Sequence, residues 1–276
     1  MKKIGVLYHP KVEATRQKAR EVQTFLRSAG VTVWVHSAWE PGRIGELLDG
    51  TDLVVTVGGD GTILRAVQAL ASHGIPVTAI NLGKLGFMTE LASGEEQTGL
   101  TRMLNGEGWI DERTMLQADV TDAGTVRSFH ALNDVVLARG AVARLIRVTV
   151  EIDNQPYTMY KADGVIVATA TGSTGYAMAA GGAVMYPQCR DFMLVAVAPH
   201  LSAGYPLVLP EASEIALRVE TYQTATVSID GHVNLPLGNG GEVRLRRSPL
   251  TARFLRLQPP ESFFGTLEEK LRGNKK

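Results

Sequence analysis

Apolar residues along this chain recur with two different periods, and the change from one to the other falls near residue 110. Upstream, apolar runs at 4–8, 32–35, 53–57 and 76–80 read as strands. Between them lie stretches with helical spacing. Val22, Phe25, Leu26 and Ala29 share one face and Gly30 supplies the stop. Ile63, Ala66, Val67 and Leu70 follow the i, i+3, i+4, i+7 pattern, and that helix stops at Gly74. Strands alternating with helices of this length predict a parallel, doubly wound sheet.

Downstream, Ile146, Val148, Val150 and Ile152 alternate with Arg147, Thr149 and Glu151, a period of two. The stretch 153–156 reads as a hairpin connection. Further strand-like runs occupy 131–138, 164–169, 193–198, 215–220, 225–229 and 242–247, and 252–257 adds another. Residues 267–271 predict a short helix, and the basic tail after Lys270 is expected to fray. The expected architecture is an N-terminal Rossmann-like α/β domain, 1–110, and a C-terminal mostly-β domain of stacked sheets, 111–250.

Composition narrows the function classes. The 276 residues suit two ordinary domains, and 45% apolar with 20% charged residues is a globular balance. The formal net charge is 0, so bulk electrostatics offer nothing to a nucleic acid. The single cysteine, Cys189, excludes an intrachain disulfide. No Cys/His cluster has zinc spacing. The early apolar run ends at His9-Pro10, too soon for a signal peptide, and the run 192–198 is too short to span a bilayer. A soluble cytoplasmic protein is expected.

Four segments carry candidate chemistry. Gly58-Gly59-Asp60-Gly61-Thr62 lies between an apolar strand and a helix. Its glycines let backbone N–H groups approach a phosphate, and the helix N-terminus adds positive partial charge. The competing reading is a tight turn whose Asp caps the helix. The second segment, 163–176, runs an apolar strand into a turn with Thr171, Gly172, Ser173, Thr174 and Gly175. The third is Asn133-Asp134 inside an apolar run; in a strand the two would face opposite sides. A hydrogen-bonded structural pair is an equal reading. The fourth, Asp230-Gly231-His232, is by itself a hairpin turn. GxxxxGK[ST], GxGxxG, the protein-kinase motifs and GxSxG are all absent, so a nucleotide would bind through the glycine-aspartate loop.

Together these segments resemble the NAD kinase family, as do 81–87 and the ending 263–271. The loop alone is shared with lipid kinases and phosphofructokinases; its combination with 171–176 is more specific. The resemblance implies phosphorylation of the adenosine-side ribose 2′-hydroxyl of NAD by ATP, giving NADP. It implies a divalent metal, Mg²⁺, delivered with ATP rather than held in a protein cage. It also implies a C-terminal segment, 251–276, returning to the first domain, and a homodimer or homotetramer.

Carried over by position, Asp60 would be the base facing the ribose hydroxyl, with Gly61 beside it and Gly58, Gly59, Gly61 and Thr62 forming the phosphate loop. Arg65 would sit near phosphate. Asn133 and Asp134 would contact adenine and ribose. Arg144 and Lys161 align with positions touching phosphates or ribose, and Asp163 would hold the nicotinamide side. Thr174, Gly175, Tyr176, Ala177, Met178 and Ala179 would line the nucleotide cleft, and His232 falls at a further contact position. This chain departs from the common pattern at His232 (often Gln), Asp134 (often Glu), Ala170 (often Pro) and Gly175 (often Ala). The alternatives are a lipid or sphingoid kinase sharing the loop, and a non-catalytic NAD(P)-binding sensor.

Overall fold

The computed structural model describes residues 1–83, 86–140, 144–200 and 204–272. The chain divides into two compact units, Met1–Glu112 with Ala252–Lys276, and Arg113–Thr251.

The first unit is an α/β layer. Its strands are β1 (Lys3–Tyr8), β2 (Thr32–Ser37), β3 (Leu53–Val57), β4 (Val77–Asn81) and the short β5 (Leu91–Ala92). They pair in parallel in the order β2-β1-β3-β4-β5. Between them run α1 (Glu13–Ser28), the single turn α2 (Pro41–Ile44), α3 (Asp60–Leu70) and, after β5, α4 (Glu96–Leu104). Strands β3 and β4 are buried throughout, which explains why they are mostly apolar; the buried Thr56 hydroxyl is satisfied by donating to the Thr78 carbonyl. In α1 the buried stripe is Thr15, Ala19, Val22 and Leu26; Ala29 lies past the helix, at its C-cap, and is exposed, and the left-handed Gly30 after it turns the chain. Gly74, also left-handed, ends the 3₁₀ turn that follows α3.

The second unit is mostly β. Its strands are β6 (Trp109–Asp122, whose first four residues fall in the first unit), β7 (Thr125–Ala131), β8 (Asp134–Ala138), β9 (Ile146–Ile152), β10 (Gln155–Ala162), β11 (Gly164–Ala168), β12 (Phe192–Val197), β13 (Leu207–Leu209), β14 (Ile215–Glu220), β15 (Ala225–Ile229), β16 (Val233–Leu237) and β17 (Glu242–Arg256), with the one-turn α5 (Tyr176–Ala179). One antiparallel sheet runs β13-β12-β11-β8-β15-β16, and β10-β9-β14-β17 forms a second set. Side chains of both pack into one apolar cluster that includes Val135, Val165, Leu194 and Val227 with Val148, Val150, Leu217 and Val243. The other face of β8, β11 and β12 packs a smaller cluster with Ala177 and Met185. These strands are therefore apolar on both faces, whereas β9 alternates. Asp153 and Asn154, both at positive φ, make the two-residue turn between β9 and β10.

Three expectations are revised. The run 131–138 is not one strand: Leu132 and Asn133 leave the sheet between β7 and β8. The runs 242–247 and 252–257 belong to one long strand, β17, whose last residues fall in the first unit. The C-terminal helix, α6 (Ser262–Arg272), is longer than its apolar pattern. Residues 273–276, the greater part of the basic tail, lie outside the described residues, as do Lys84 and Leu85 of the 81–87 motif.

Candidate active site

Asp60 opens α3 directly beyond the carboxyl end of β3. It does not cap its own helix; Gly59 holds the N-cap position and no side chain caps it. Instead, the Asp60 carboxylate accepts the Phe87 N–H at Oδ2 (3.1 Å) and the Met88 N–H at Oδ1 (3.4 Å). A carboxylate has about four lone-pair positions, so acceptor capacity remains. Gly86 makes this grip possible, since a β-carbon there would overlap Asp60 Oδ1. Gly58 is at φ 153°, and a β-carbon there would strike the Thr62 hydroxyl. Gly59 and Gly61 are exposed and face open space, so the loop presents bare backbone beside a partly buried carboxylate. The Thr62 hydroxyl is buried without a hydrogen-bond partner.

Arg65, one turn further along α3, stacks on Trp39, its guanidinium carbon 4.5 Å from the ring centroid. Trp39 also meets the His9 ring at 4.1 Å between centroids. Three side chains from the ends of β1 and β2 and from α3 thus form one aromatic and basic cluster in the first unit.

In the second unit, Asn133, Asp134, the 169–175 turn and Asp230 come together. The Asp230 carboxylate accepts N–H groups from Leu132 (2.9 Å), Asn133 (2.7 Å) and Asp134 (3.2 Å). The turn that appeared only structural in sequence thereby fixes the backbone of the Asn133-Asp134 pair. From the other side, the Thr169 hydroxyl donates to the Leu132 carbonyl and accepts the Gly172 N–H. A β-carbon at Gly172 would overlap the Asn133 carbonyl. One at Gly175 would lie 3.8 Å from Asn133 Nδ2 and 3.9 Å from Asp134 Oδ2. Asn133 Oδ1 is buried with no hydrogen-bond partner, so the amide is not consumed by a structural role. Burial, reinforced by the negative charge of Asp230, pushes the Asp134 carboxyl up to about 7.

The hydroxyls of the turn mostly serve the turn itself. Ser173 is fully buried, donates to the Ala170 carbonyl and accepts the Met185 N–H. Thr171 accepts from Arg113, and Thr174 donates back to the Thr171 carbonyl. Tyr176 and Ala179 are exposed and Met178 half-buried, whereas Ala177 is fully buried in the small apolar cluster. The His232 ring lies 3.1 Å from the Asp230 carbonyl.

Asp163 is placed apart from this group. It precedes β11 while Thr169 follows it, a separation of about 20 Å along the strand. Asp163 forms a 2.7 Å ion pair with Arg139. Lys161, at the end of β10, lines a cleft of about 430 Å³ with Arg147, Glu220 and Tyr222. The exposed Arg144 lines a neighbouring recess with Arg139 and Tyr222.

Residues 43–108 match the ATP-NAD kinase N-terminal domain, and 132–257 match the ATP-NAD kinase C-terminal domain. An NAD kinase from Dehalococcoides mccartyi is 47% identical over 99% of this chain and 97% of its own. This chain belongs to the NAD kinase family. Another family member, an NAD kinase of Chloroflexus aurantiacus, is 39% identical over 99% of both chains. Among solved structures, yeast NADH kinase complexed with NADH matches with a TM-score of 0.87 at 26% identity, covering 100% of this chain and 89% of that one. An NAD kinase from Archaeoglobus fulgidus in complex with ATP matches with a TM-score of 0.77 at 26% identity, covering 96% and 98%. The N-terminal α/β and C-terminal mostly-β architecture is the fold of this kinase family.

Sequence reading missed the supports of these residues. The N–H groups of Phe87 and Met88 carry no side-chain signal beyond the glycine at 86. Asp230 was visible only as a turn residue. Arg256 carries no signal that separates it from Arg253 in the same run.

Proposed function

We propose that this protein is an NAD kinase that transfers the terminal phosphoryl group of ATP to the adenosine ribose 2′-hydroxyl of NAD, giving NADP. The observation that carries the reading is Asp60: a carboxylate fixed through both oxygens, at the carboxyl end of a parallel strand, in a loop of open glycines. Relatives named NAD kinase across nearly the whole chain favour a dinucleotide acceptor over a lipid, and catalysis over sensing.

Asp60 accepts the proton from the attacking 2′-hydroxyl. Phosphoryl transfer passes through a loose transition state, so positioning and charge stabilisation dominate, and the proton moves late. Gly58, Gly59, Gly61 and Thr62 shape the loop that meets phosphate, and Arg65, steadied by Trp39, adds positive charge. Asn133 and Asp134 contact adenine and ribose, an assignment supported by the unpartnered Asn133 amide oxygen and by the two-sided bracing of its backbone. Asp163 serves the nicotinamide side. Arg144 and Lys161 contact phosphates or ribose, and the 174–179 segment with His232 completes the nucleotide contacts.

Among the described residues, no group of three or more His, Cys, Asp or Glu side chains is placed to hold a metal ion. Magnesium would instead arrive with the ATP phosphates and supply charge neutralisation there. The working protein is a cytoplasmic homodimer or homotetramer. Among the described residues no helix is long and apolar enough to cross a membrane.

The test is NADP formation from purified protein, NAD and Mg-ATP, with Asp60→Asn alongside. Wild type is expected to turn over, and the variant to bind NAD but lose about 10²–10⁴-fold in rate. Near-normal turnover in the variant would remove Asp60 as base. NAD binding without turnover in wild type would favour the sensor.

A further inference from the structure

The Phe87–Met88 peptide that grips Asp60 is itself held from behind. Arg256, in the last residues of β17, is 7% exposed. Its Nη1 donates to the Met88 carbonyl at 2.8 Å and lies 3.3 Å from Glu90 Oε2; its Nε faces Asp111 Oδ2 at 3.4 Å. The Phe254 ring packs under the guanidinium at 4.8 Å. Glu90 closes the loop: its Oε1 accepts the Leu257 N–H (2.7 Å) and the Gln258 N–H (2.8 Å). The side chains of Glu90 and Asp111 are 4% and 2% exposed. Every one of these residues belongs to the first unit.

A buried guanidinium between two buried carboxylates is a rigid object, since each charge depends on its partners staying in place. The residue whose carbonyl accepts from Arg256 is the residue whose N–H donates to Asp60. A shift of the Met88 backbone therefore moves the Asp60 carboxylate. Bridging two stretches of chain needs only one of these bonds; the direct hydrogen bond to the Met88 carbonyl is the one a mere bridge would not require.

We propose that Arg256, locked by Glu90 and Asp111, is a positioning residue for the reaction: it fixes the Met88 backbone, and through it the orientation of the Asp60 carboxylate. The proposal rests on the reading of Asp60 as the base. It predicts that loosening Arg256 lowers kcat without weakening substrate binding, because the residue touches neither substrate.

The experiment is a double-mutant cycle on kcat and KM with Arg256→Lys and Asp60→Asn, each rate taken per molecule able to bind NAD. Lys keeps the charge but cannot span the Met88 carbonyl and the carboxylates with one planar group. Arg256→Lys is expected to lose about 10- to 100-fold in kcat, the scale of a small misplacement of a reacting group. KM for NAD and for ATP should stay within about twofold of wild type, and the loss should vanish in the Asp60→Asn background. A loss of equal size in both backgrounds, or an unchanged kcat, would overturn the proposal. Should Arg256→Lys fail to fold, Glu90→Gln carries the same expectations and the same refutations, as it removes the charge that locks Arg256. If Asp60→Asn alone turns over normally, the base reading fails, and that result is separate from any Arg256 effect.

Discussion

Asp134 offers a sharp test of the second unit's electrostatics. Its carboxyl is 6% exposed and close to the equally buried Asp230, and it titrates at about 7 instead of the ordinary 3.8. The sign follows from proton linkage. Between these two values the folded protein holds a proton at Asp134 that the unfolded chain has released. Stability is therefore highest at low pH and falls as pH rises towards 7, by about 1.4 kcal/mol per unit, then levels off. Between about pH 5 and about pH 8 the contribution lost is about 2.6 kcal/mol. Asp134→Asn keeps the shape and removes the titration. The assay is urea unfolding of wild type and variant at both pH values. The difference in unfolding free energy between them is expected to move by about 2–3 kcal/mol in favour of the variant on going from the acid to the alkaline condition. A difference that is independent of pH would show that Asp134 ionises normally and that burial beside Asp230 costs little.

Other expectations follow from single contacts. Trp39→Ala removes the ring under Arg65; a cation–π contact of about 0.5–2 kcal/mol predicts a KM for ATP raised by about 2- to 30-fold, whereas an unchanged KM would separate Arg65 from phosphate binding. Gly86→Ala places a β-carbon on Asp60 Oδ1, so steady-state kinetics should show a fall in kcat with NAD binding retained. Gly172→Ala collides with the Asn133 carbonyl and should weaken NAD binding, measurable by calorimetry. Phe192→Ala opens a cavity in the fully buried core of the second unit and should cost about 3–5 kcal/mol in chemical denaturation.

Much of the architecture was legible in the order of residues because local physics dictates it. Residues 53–57 read as a strand and form one, since a strand covered on both faces is predominantly apolar, with Thr56 its one hydrogen-bonded exception. The alternation at 146–152 marks a strand with one face packed, and Asp153-Asn154 supplies the two left-handed residues its turn requires. The glycine-aspartate loop is recognisable by its run of glycines between a strand and a helix, of which Gly58 is required by its φ of 153° and its contact with Thr62, and Asp60 stands out by its place in that loop. The Asn133-Asp134 pair was visible as polarity inside an apolar run.

Other features depend on partners distant in sequence. Nothing near residue 60 reveals that its carboxylate accepts from residues 87 and 88, because those donors are backbone and carry no side-chain signature. The break at Leu132-Asn133 is set by Asp230, 96 to 98 positions away, whose carboxylate takes three N–H groups that a continuous strand would have used in its ladder. The raised Asp134 arises from burial and from a second carboxylate, and both are properties of packing. Arg256 reads as one of five arginines along β17, with nothing in the sequence to single it out, yet it meets Met88, Glu90 and Asp111 only when β17 pairs beside β4. The sequence by itself determined which residues could do chemistry and which backbone turns they occupy, because propensity and periodicity act over a few residues. The tertiary structure alone decided how firmly each is held and that Asp134 titrates high, because hydrogen-bond partners and desolvation come from residues brought together in folding.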